Sequence, residues 1–320
     1  MQMRCVWLQN QQMTFRNDQP LPKPIAHEAL VKVLLAGFCA TDLEMLKGYY
    51  PFTGVPGHEF VGEIVESLER PALVGRRVVG AINISCGACD ICRSGNDRHC
   101  RQRQVLGLKG RNGTFAEYLS IPLANLHFVP DSLCNERAVF TELIAAAGQI
   151  FEQIRFEADH SVLVAGAGRL GQLTARLVRQ RGCRLQVVAR YDNQRKLLDQ
   201  EGIAWVPENK VKPDTFDIAI DTTGAPRGFE MCCRAVRPRG TVVLKSTYPG
   251  KYAVSLSELV VDEVVIVGSR CGSMQAALEW LAQGQIDPRP LIQKVLKLEQ
   301  ISEAIELAQE PGCMQILIAP

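Results

Sequence analysis

The run Ser161-Val162-Leu163-Val164-Ala165, followed at once by Gly166-Ala167-Gly168-Arg169-Leu170-Gly171, constrains the fold more than any other part of the chain. A short apolar strand leads straight into a G-x-G-x-x-G turn, and apolar-periodic residues over 170–181 then read as a helix. Gly166 permits the tight turn, Gly168 lets a pyrophosphate approach the backbone, and Gly171 allows helix and strand to pack closely. Arg169 and Leu170 begin the helix whose N-terminus faces the phosphates. Further on, strands over 185–189, 217–220 and 241–244 alternate with helices near 193–200 and 229–236. Such alternation predicts a parallel sheet covered by helices on both faces.

The residue closing the second strand sets the dinucleotide type. NAD sites place a carboxylate about twenty residues beyond the glycines to hold the ribose hydroxyls. Here Arg190 stands nineteen residues after Gly171, with Arg195 and Lys196 near it in sequence. A guanidinium suits the 2′-phosphate of NADP, so NADP is expected over NAD. Asp192 is the counterargument, since it can turn inward and hold a ribose.

From residue 4 to 129 the pattern differs. Short strand-like runs at 30–35, 61–65 and 77–82 are separated by dense Gly and Pro, and no long amphipathic helix occurs. This is an irregular β domain. The period changes near Asp131, and 136–151 reads as one Ala-rich helix. The tail carries a strand at 264–267, helices at 274–282 and 301–308, and a last strand at 315–318.

Within the β-rich part, Cys86, Cys89, Cys92 and Cys100 follow a C-x2-C-x2-C-x7-C spacing. Four thiols interleaved with Gly87 and Gly95 can wrap a tetrahedral zinc, and with every position taken by sulfur the site is structural. Gly57-His58-Glu59 is weaker by itself, because a His beside a Glu is usually a hydrogen-bonded pair. Upstream lie Cys39, Thr41 and Asp42. Cys39 and His58 suit zinc, and either Glu59 or the helical Glu142 can complete three protein ligands and leave a fourth position open. Spacing alone does not join residues 39, 58 and 142.

The 320 residues are 47% hydrophobic and 22% charged, which is ordinary globular composition with room for two domains. A net charge of +2 gives no reason to expect nucleic acid, and no apolar run is long enough to span a membrane. Twelve cysteines without a secretion signal read as reduced thiols and metal ligands, so the cytoplasm is the expected location.

In the order of these motifs, the chain resembles the zinc-containing medium-chain dehydrogenase/reductase family of the alcohol dehydrogenase type. The resemblance spans nearly the whole chain: Cys39-x-Thr41-Asp42, Gly57-His58-Glu59, the four-cysteine lobe at 86–100, Thr141-Glu142 and the Gly166 motif. It implies an α/β protein with a GroES-like β-rich catalytic domain, residues 1–131 and 269–320, split by a Rossmann doubly wound parallel sheet domain, residues 132–268. Substrate and nicotinamide would meet in the cleft between the two. It further implies two zinc ions per chain, with Cys39, His58 and Glu142 as ligands of the catalytic ion. Glu59 would stand behind that metal as an exchangeable carboxylate, Asp42 would orient His58, and Thr41 would bond the substrate oxygen.

Departures from the family pattern are also visible. Leu143 replaces a common Pro, and Glu44 replaces a relay histidine, so the proton would leave through Glu44 or the ribose. Ala40 and Met314 stand where relatives have phosphate-contacting arginines, for which Arg270 is the candidate replacement. The strand at 264–267 matches the one through which relatives dimerise, so a homodimer, or a homotetramer built on it, is expected. The implied activity is hydride transfer between a small alcohol or polyol, or its carbonyl, and the cofactor. The alternatives are a zinc-free quinone or enone reductase of the same fold, and a non-catalytic binding protein using the zinc lobe. Tyr49, Tyr50, Phe52, Leu108 and Phe115 are candidates for an apolar substrate pocket and equally for core.

Overall fold

The strand expected over 30–35 is the middle of a longer one, Glu28–Phe38, in the computed structural model, which describes residues 1–248 and 252–320. Its residues are buried almost without interruption because neighbours flank it on both edges. Glu59–Ser67 and Gln315–Ala319 pair with it antiparallel, and Tyr118–Pro122 pairs along its first half. Arg77–Gly80, Leu126–Phe128 and Ile292–Lys297 complete a seven-stranded sheet. These elements belong to one compact unit, Met1–Glu142 together with Met274–Pro320. Register fixes what meets at the end of the long strand: Gly37 lies opposite Glu59 and Phe38 opposite Ile316. Cys39 is the next residue, so three strand ends distant in sequence converge there.

The second unit, Leu143–Ser273, contains one six-stranded sheet. In spatial order its strands are Trp205–Val206, Arg184–Val188, Ser161–Ala165, Phe216–Asp221, Val236–Leu244 and Val265–Gly268, every neighbouring pair parallel. This is the doubly wound order that reverses at its first strand. Val162, Val164, Ile218 and Ile220 pack with Ala175 and Val178 on one face. Leu163, Ala165, Ala219 and Val242 pack with Phe229, Cys232 and Ala235 on the other. Alternate residues of each strand thus feed opposite cores, which is why these strands read as continuous apolar runs.

Several elements differ from expectation. The helix expected over 136–151 is three short ones, Asn135–Ala138, Thr141–Gly148 and Ile150–Gln153. The Thr141 hydroxyl donates to the Ala138 carbonyl at 2.6 Å, a side-chain bond that competes with continued helix. The helix expected near 229–236 begins earlier, as Pro226–Ala235, with proline in its first turn. A helix not expected from sequence, Ala40–Leu46, follows Cys39 directly. An N-terminal hairpin, Gln2–Gln9 with Gln12–Pro20, turns on Asn10 and Gln11, both in the left-handed region (φ 48° and 63°). Among the described residues no helix is long and apolar enough to cross a membrane.

Candidate active site and cofactor cavity

Cys39 ends the long strand and caps the helix Ala40–Leu46. Its backbone N–H donates to Asp42 Oδ2 at 2.8 Å, which locks the turn between strand and helix. Thr41 Oγ1 lies 3.8 Å from Cys39 Sγ. His58 arrives on a turn held by three glycines. Gly57 has φ +90°, and a Cβ at Gly107 or Gly113 would lie 2.1 or 2.0 Å from the Gly57 carbonyl oxygen. The His58 ring is buried, its Nδ1 3.8 Å from Asp42 Oδ1 and without a hydrogen-bond partner. Glu59 follows, 1% exposed. Gln315 Nε2 donates to its Oε2 at 3.3 Å, while its buried Oε1 has no partner. A side chain at Gly37 would have its Cβ 2.2 Å from Glu59 Oε2, so glycine opposite Glu59 makes room for the carboxylate.

One ligand atom from each of Cys39, His58 and Glu59 lies within 4.8 Å of the others. Burial opposes a charge on His58, yet Cys39, Asp42 and Glu142 hold its pKa well above the usual histidine range. A half-buried sulfur, a buried imidazole and a buried carboxylate brought this close are the donor set of a divalent zinc ion, and the orphaned Glu59 oxygen fits a cation nearby. Glu142, second residue of the helix Thr141–Gly148, is not in that close trio, but its charge reaches His58.

The four cysteines of the lobe sit at sulfur separations of 3.4 Å (Cys89–Cys92), 3.5 Å (Cys86–Cys100) and 3.9 Å (Cys86–Cys92 and Cys89–Cys100). Zinc–sulfur bonds of about 2.3 Å in a tetrahedron require sulfurs about 3.8 Å apart, so the cage has the right size. Backbone N–H groups of Ala88 and Cys89 draw the Cys86 thiol down to about 6. Burial and the neighbouring sulfurs push Cys92 the other way. Four sulfurs this close are not all anionic without a cation among them.

In the second unit, a cavity of about 470 Å³ opens beside the glycine turn. Gly166 has φ +98°, and a Cβ at Gly171 would lie 2.1 Å from the Gly166 carbonyl oxygen. A Cβ at Gly168 would meet nothing within 4 Å, so internal packing does not require glycine there. The space in front of Gly168 suits a group approaching from outside, with the helix Arg169–Arg179 beginning behind it. Arg190, Arg195 and Glu208 also line the cavity. Arg190 donates to Glu208 Oε2 at 3.2 Å, and Arg195 pairs with Asp192 at 2.9 Å and stacks over Trp205.

Two family descriptions match the chain: "Alcohol dehydrogenase GroES-like domain" over residues 25–131 and "Zinc-binding dehydrogenase" over residues 170–283. The chain belongs to the medium-chain, zinc-type alcohol dehydrogenase family. It is an oxidoreductase acting on alcohols. D-arabinitol dehydrogenase 1 of Uromyces fabae is 29% identical over 92% of this chain and 90% of its own length. An L-threonine 3-dehydrogenase of Pseudoalteromonas atlantica is 27% identical, covering 93% and 94%. Among solved structures, one named a zinc-binding dehydrogenase from Sinorhizobium meliloti 1021, bound to NADP, superposes with a TM-score of 0.93 at 27% identity over both whole chains. The Escherichia coli CFT073 alcohol dehydrogenase RspB, complexed with NADH, gives 0.90 at 26%, covering 100% and 99%.

Within this dehydrogenase the remaining expected residues are scattered. Glu44 is paired with Lys47 Nζ at 2.7 Å, and Arg270 donates to Cys271 Sγ at 3.5 Å just beyond the last parallel strand. Of the apolar candidates, Phe115 and Leu108 are core, Phe115 stacking on Phe38 at 5.6 Å. Phe52 lines a separate cavity of about 550 Å³ together with Arg111 and Asn112. Gln315 and Gly37 escaped the reading of the sequence. Gln315 is 256 residues from Glu59, and only the strand register brings them together.

Proposed function

We propose that the chain is a zinc-dependent, NADP-linked alcohol or polyol dehydrogenase with two zinc ions per chain. The observation that carries this reading is the buried convergence of Cys39, His58 and Glu59, with Asp42 facing the far nitrogen of the imidazole. Cys39, His58 and Glu142 are the proposed ligands of the catalytic ion, and Glu59 would stand behind it as an exchangeable carboxylate. Bound there, zinc supplies Lewis acidity toward a hydroxyl or carbonyl oxygen, and the nicotinamide supplies hydride exchange. The protein's own groups do the rest. Asp42, with Oδ1 3.8 Å from Nδ1, would orient His58 and so select which ring nitrogen is offered to the metal. Thr41 Oγ1 would bond the substrate oxygen and take its proton, with Glu44 the chain's own group on the way out.

NADP is favoured by Arg190, just past the second strand, and Arg195, in the helix Asp192–Gln200 that follows, both lining the cofactor cavity. NAD is the competing reading, favoured by Glu208 on the same wall, a carboxylate able to hold a ribose diol. The names of the relatives support a small hydroxylated substrate. A homodimer is proposed through the edge strand Val265–Gly268, where Val265 and Ile266 are 51% and 41% exposed. The reduced sulfur cage fits a cytoplasmic enzyme.

A screen of alcohols, polyols and carbonyls with NAD and NADP in parallel, at defined zinc, tests the reading. NADP-dependent oxidation is expected, with Cys39→Ala and Thr41→Ala each losing at least about a hundredfold in kcat/KM. Retained activity in both variants refutes the proposed chemistry.

A further inference from the structure

The cofactor cavity has a third cation that none of the motifs points to. Arg227 is the second residue of the helix Pro226–Ala235, which follows the fourth strand of the parallel sheet. Its place is fixed from both sides. Pro226 sets the first turn, and Gly228 is so close to the preceding loop that a Cβ there would lie 1.9 Å from Thr223 Oγ1 and 2.4 Å from Asp221 Oδ1. Asp221 Oδ1 in turn accepts from Thr223 N–H at 2.9 Å and from the Thr223 hydroxyl at 2.8 Å. The helix therefore presents Arg227 from a rigid start.

The other two arginines of the cavity are already engaged. Arg190 donates to Glu208, and Arg195 gives its donors to Asp192, to the Arg190 carbonyl at 3.0 Å and to the Ala189 carbonyl at 3.4 Å. Arg227 has no ion pair or hydrogen bond among the described residues, so its guanidinium needs no partner displaced before it binds an anion. Arg190, Arg195 and Arg227 are set against one lining carboxylate, Glu208, which leaves the walls with a formal excess of +2. The pyrophosphate of either dinucleotide is served by backbone N–H groups at the glycine turn. The side-chain cations are then available to a second phosphate, a monoester carrying roughly −1.5 to −2 at neutral pH.

We propose that Arg227 is a specificity-determining residue that binds the 2′-phosphate of the cofactor. The proposal rests on the NADP reading above. Planar, bidentate donation makes arginine, rather than lysine, the suitable residue for this task.

Calorimetric titration of the full-length protein with adenosine 2′,5′-bisphosphate and with 5′-AMP separates the possibilities, because neither probe carries a pyrophosphate. Arg227→Ala is expected to weaken the bisphosphate roughly tenfold and to leave 5′-AMP within about twofold, with Arg227→Lys between the two. If Arg190→Ala weakens the bisphosphate and Arg227→Ala does not, the inference fails and the NADP reading stands. If the unmodified protein binds both probes equally, the NADP reading itself fails. If Arg227→Ala weakens both probes equally, Arg227 serves the part common to both and the inference is overturned.

Discussion

Gly168 and Gly171 lie three residues apart in one turn, and replacing each by alanine should do opposite things. At Gly171 the new Cβ would lie 2.1 Å from the Gly166 carbonyl oxygen, 2.9 Å from its carbon and 2.7 Å from Thr222 Oγ1. The nearest atoms are backbone, in a residue already at φ +98°, so they cannot rotate aside. Alanine gains about 1 kcal/mol of helix propensity over glycine. Overpacking costs about 1–3 kcal/mol, and contact with fixed backbone puts this case at or beyond the upper end. A net loss of about 2 kcal/mol lowers Tm by roughly 4–8 °C. At Gly168 the backbone is extended (φ −71°, ψ −173°), which alanine adopts freely, and its Cβ meets nothing within 4 Å. Gly168→Ala should therefore leave Tm nearly unchanged, the roughly 0.5 kcal/mol gained by restricting the unfolded chain being offset by alanine's poorer fit to the N-cap position. Its cofactor affinity should fall by at least about tenfold, because the methyl occupies the approach of the pyrophosphate. Differential scanning calorimetry without cofactor and titration with NADP measure the two effects separately. A Gly168→Ala variant that loses as much Tm as Gly171→Ala, or that binds NADP unchanged, refutes the division of roles.

Asp221 offers a pH test. Burial raises its carboxyl above the ordinary value, against the lowering pull of Thr223 and Ser246. A carboxyl whose folded pKa is raised contributes stability at low pH and loses it as pH rises through the folded value. Asp221→Asn, which keeps the acceptor oxygen for Thr223, should thus raise Tm relative to the parent at pH 8, with the gain shrinking toward pH 4; a gain that grows on acidification contradicts the sign. In the sulfur cage, Cys92→Ala should remove one zinc per chain and make residues 86–100 sensitive to protease while the Cys39 site stays loaded, as metal analysis and limited proteolysis will report. Ile266→Lys on the exposed edge strand should convert a dimer to a monomer in light scattering after gel filtration, and an unchanged mass excludes that edge as the interface.

Elements whose signal is local were legible from the residues. The strand Ser161–Ala165 and its glycine turn carry their meaning within eleven positions, and the four cysteines within fifteen, so the parallel sheet and the sulfur cage could be read directly. What escaped depends on pairing between distant segments. Nothing near Gln315 indicates that it reaches Glu59, and nothing near Gly37 indicates that it must leave space for that carboxylate; the antiparallel register on both edges of Glu28–Phe38 creates both relations. The Ala-rich stretch after Asn135 has helical period throughout, but a single Thr141 hydroxyl bond accompanies its break into separate helices. Arg227 carries no local signal, because the sequence pattern for a 2′-phosphate site lies after the second strand and Arg227 follows the fourth. Spacing does not join Cys39, His58 and Glu142; only the family resemblance implies that set.

Zinc content of the purified chain, washed free of loosely bound metal, tests the central claim most directly. Two ions per chain are expected in the parent protein and one in Cys39→Ala, with the sulfur cage still filled. A parent content of one ion, unchanged by Cys39→Ala, would mean that Cys39, His58 and Glu59 hold no metal and would contradict the proposed zinc chemistry.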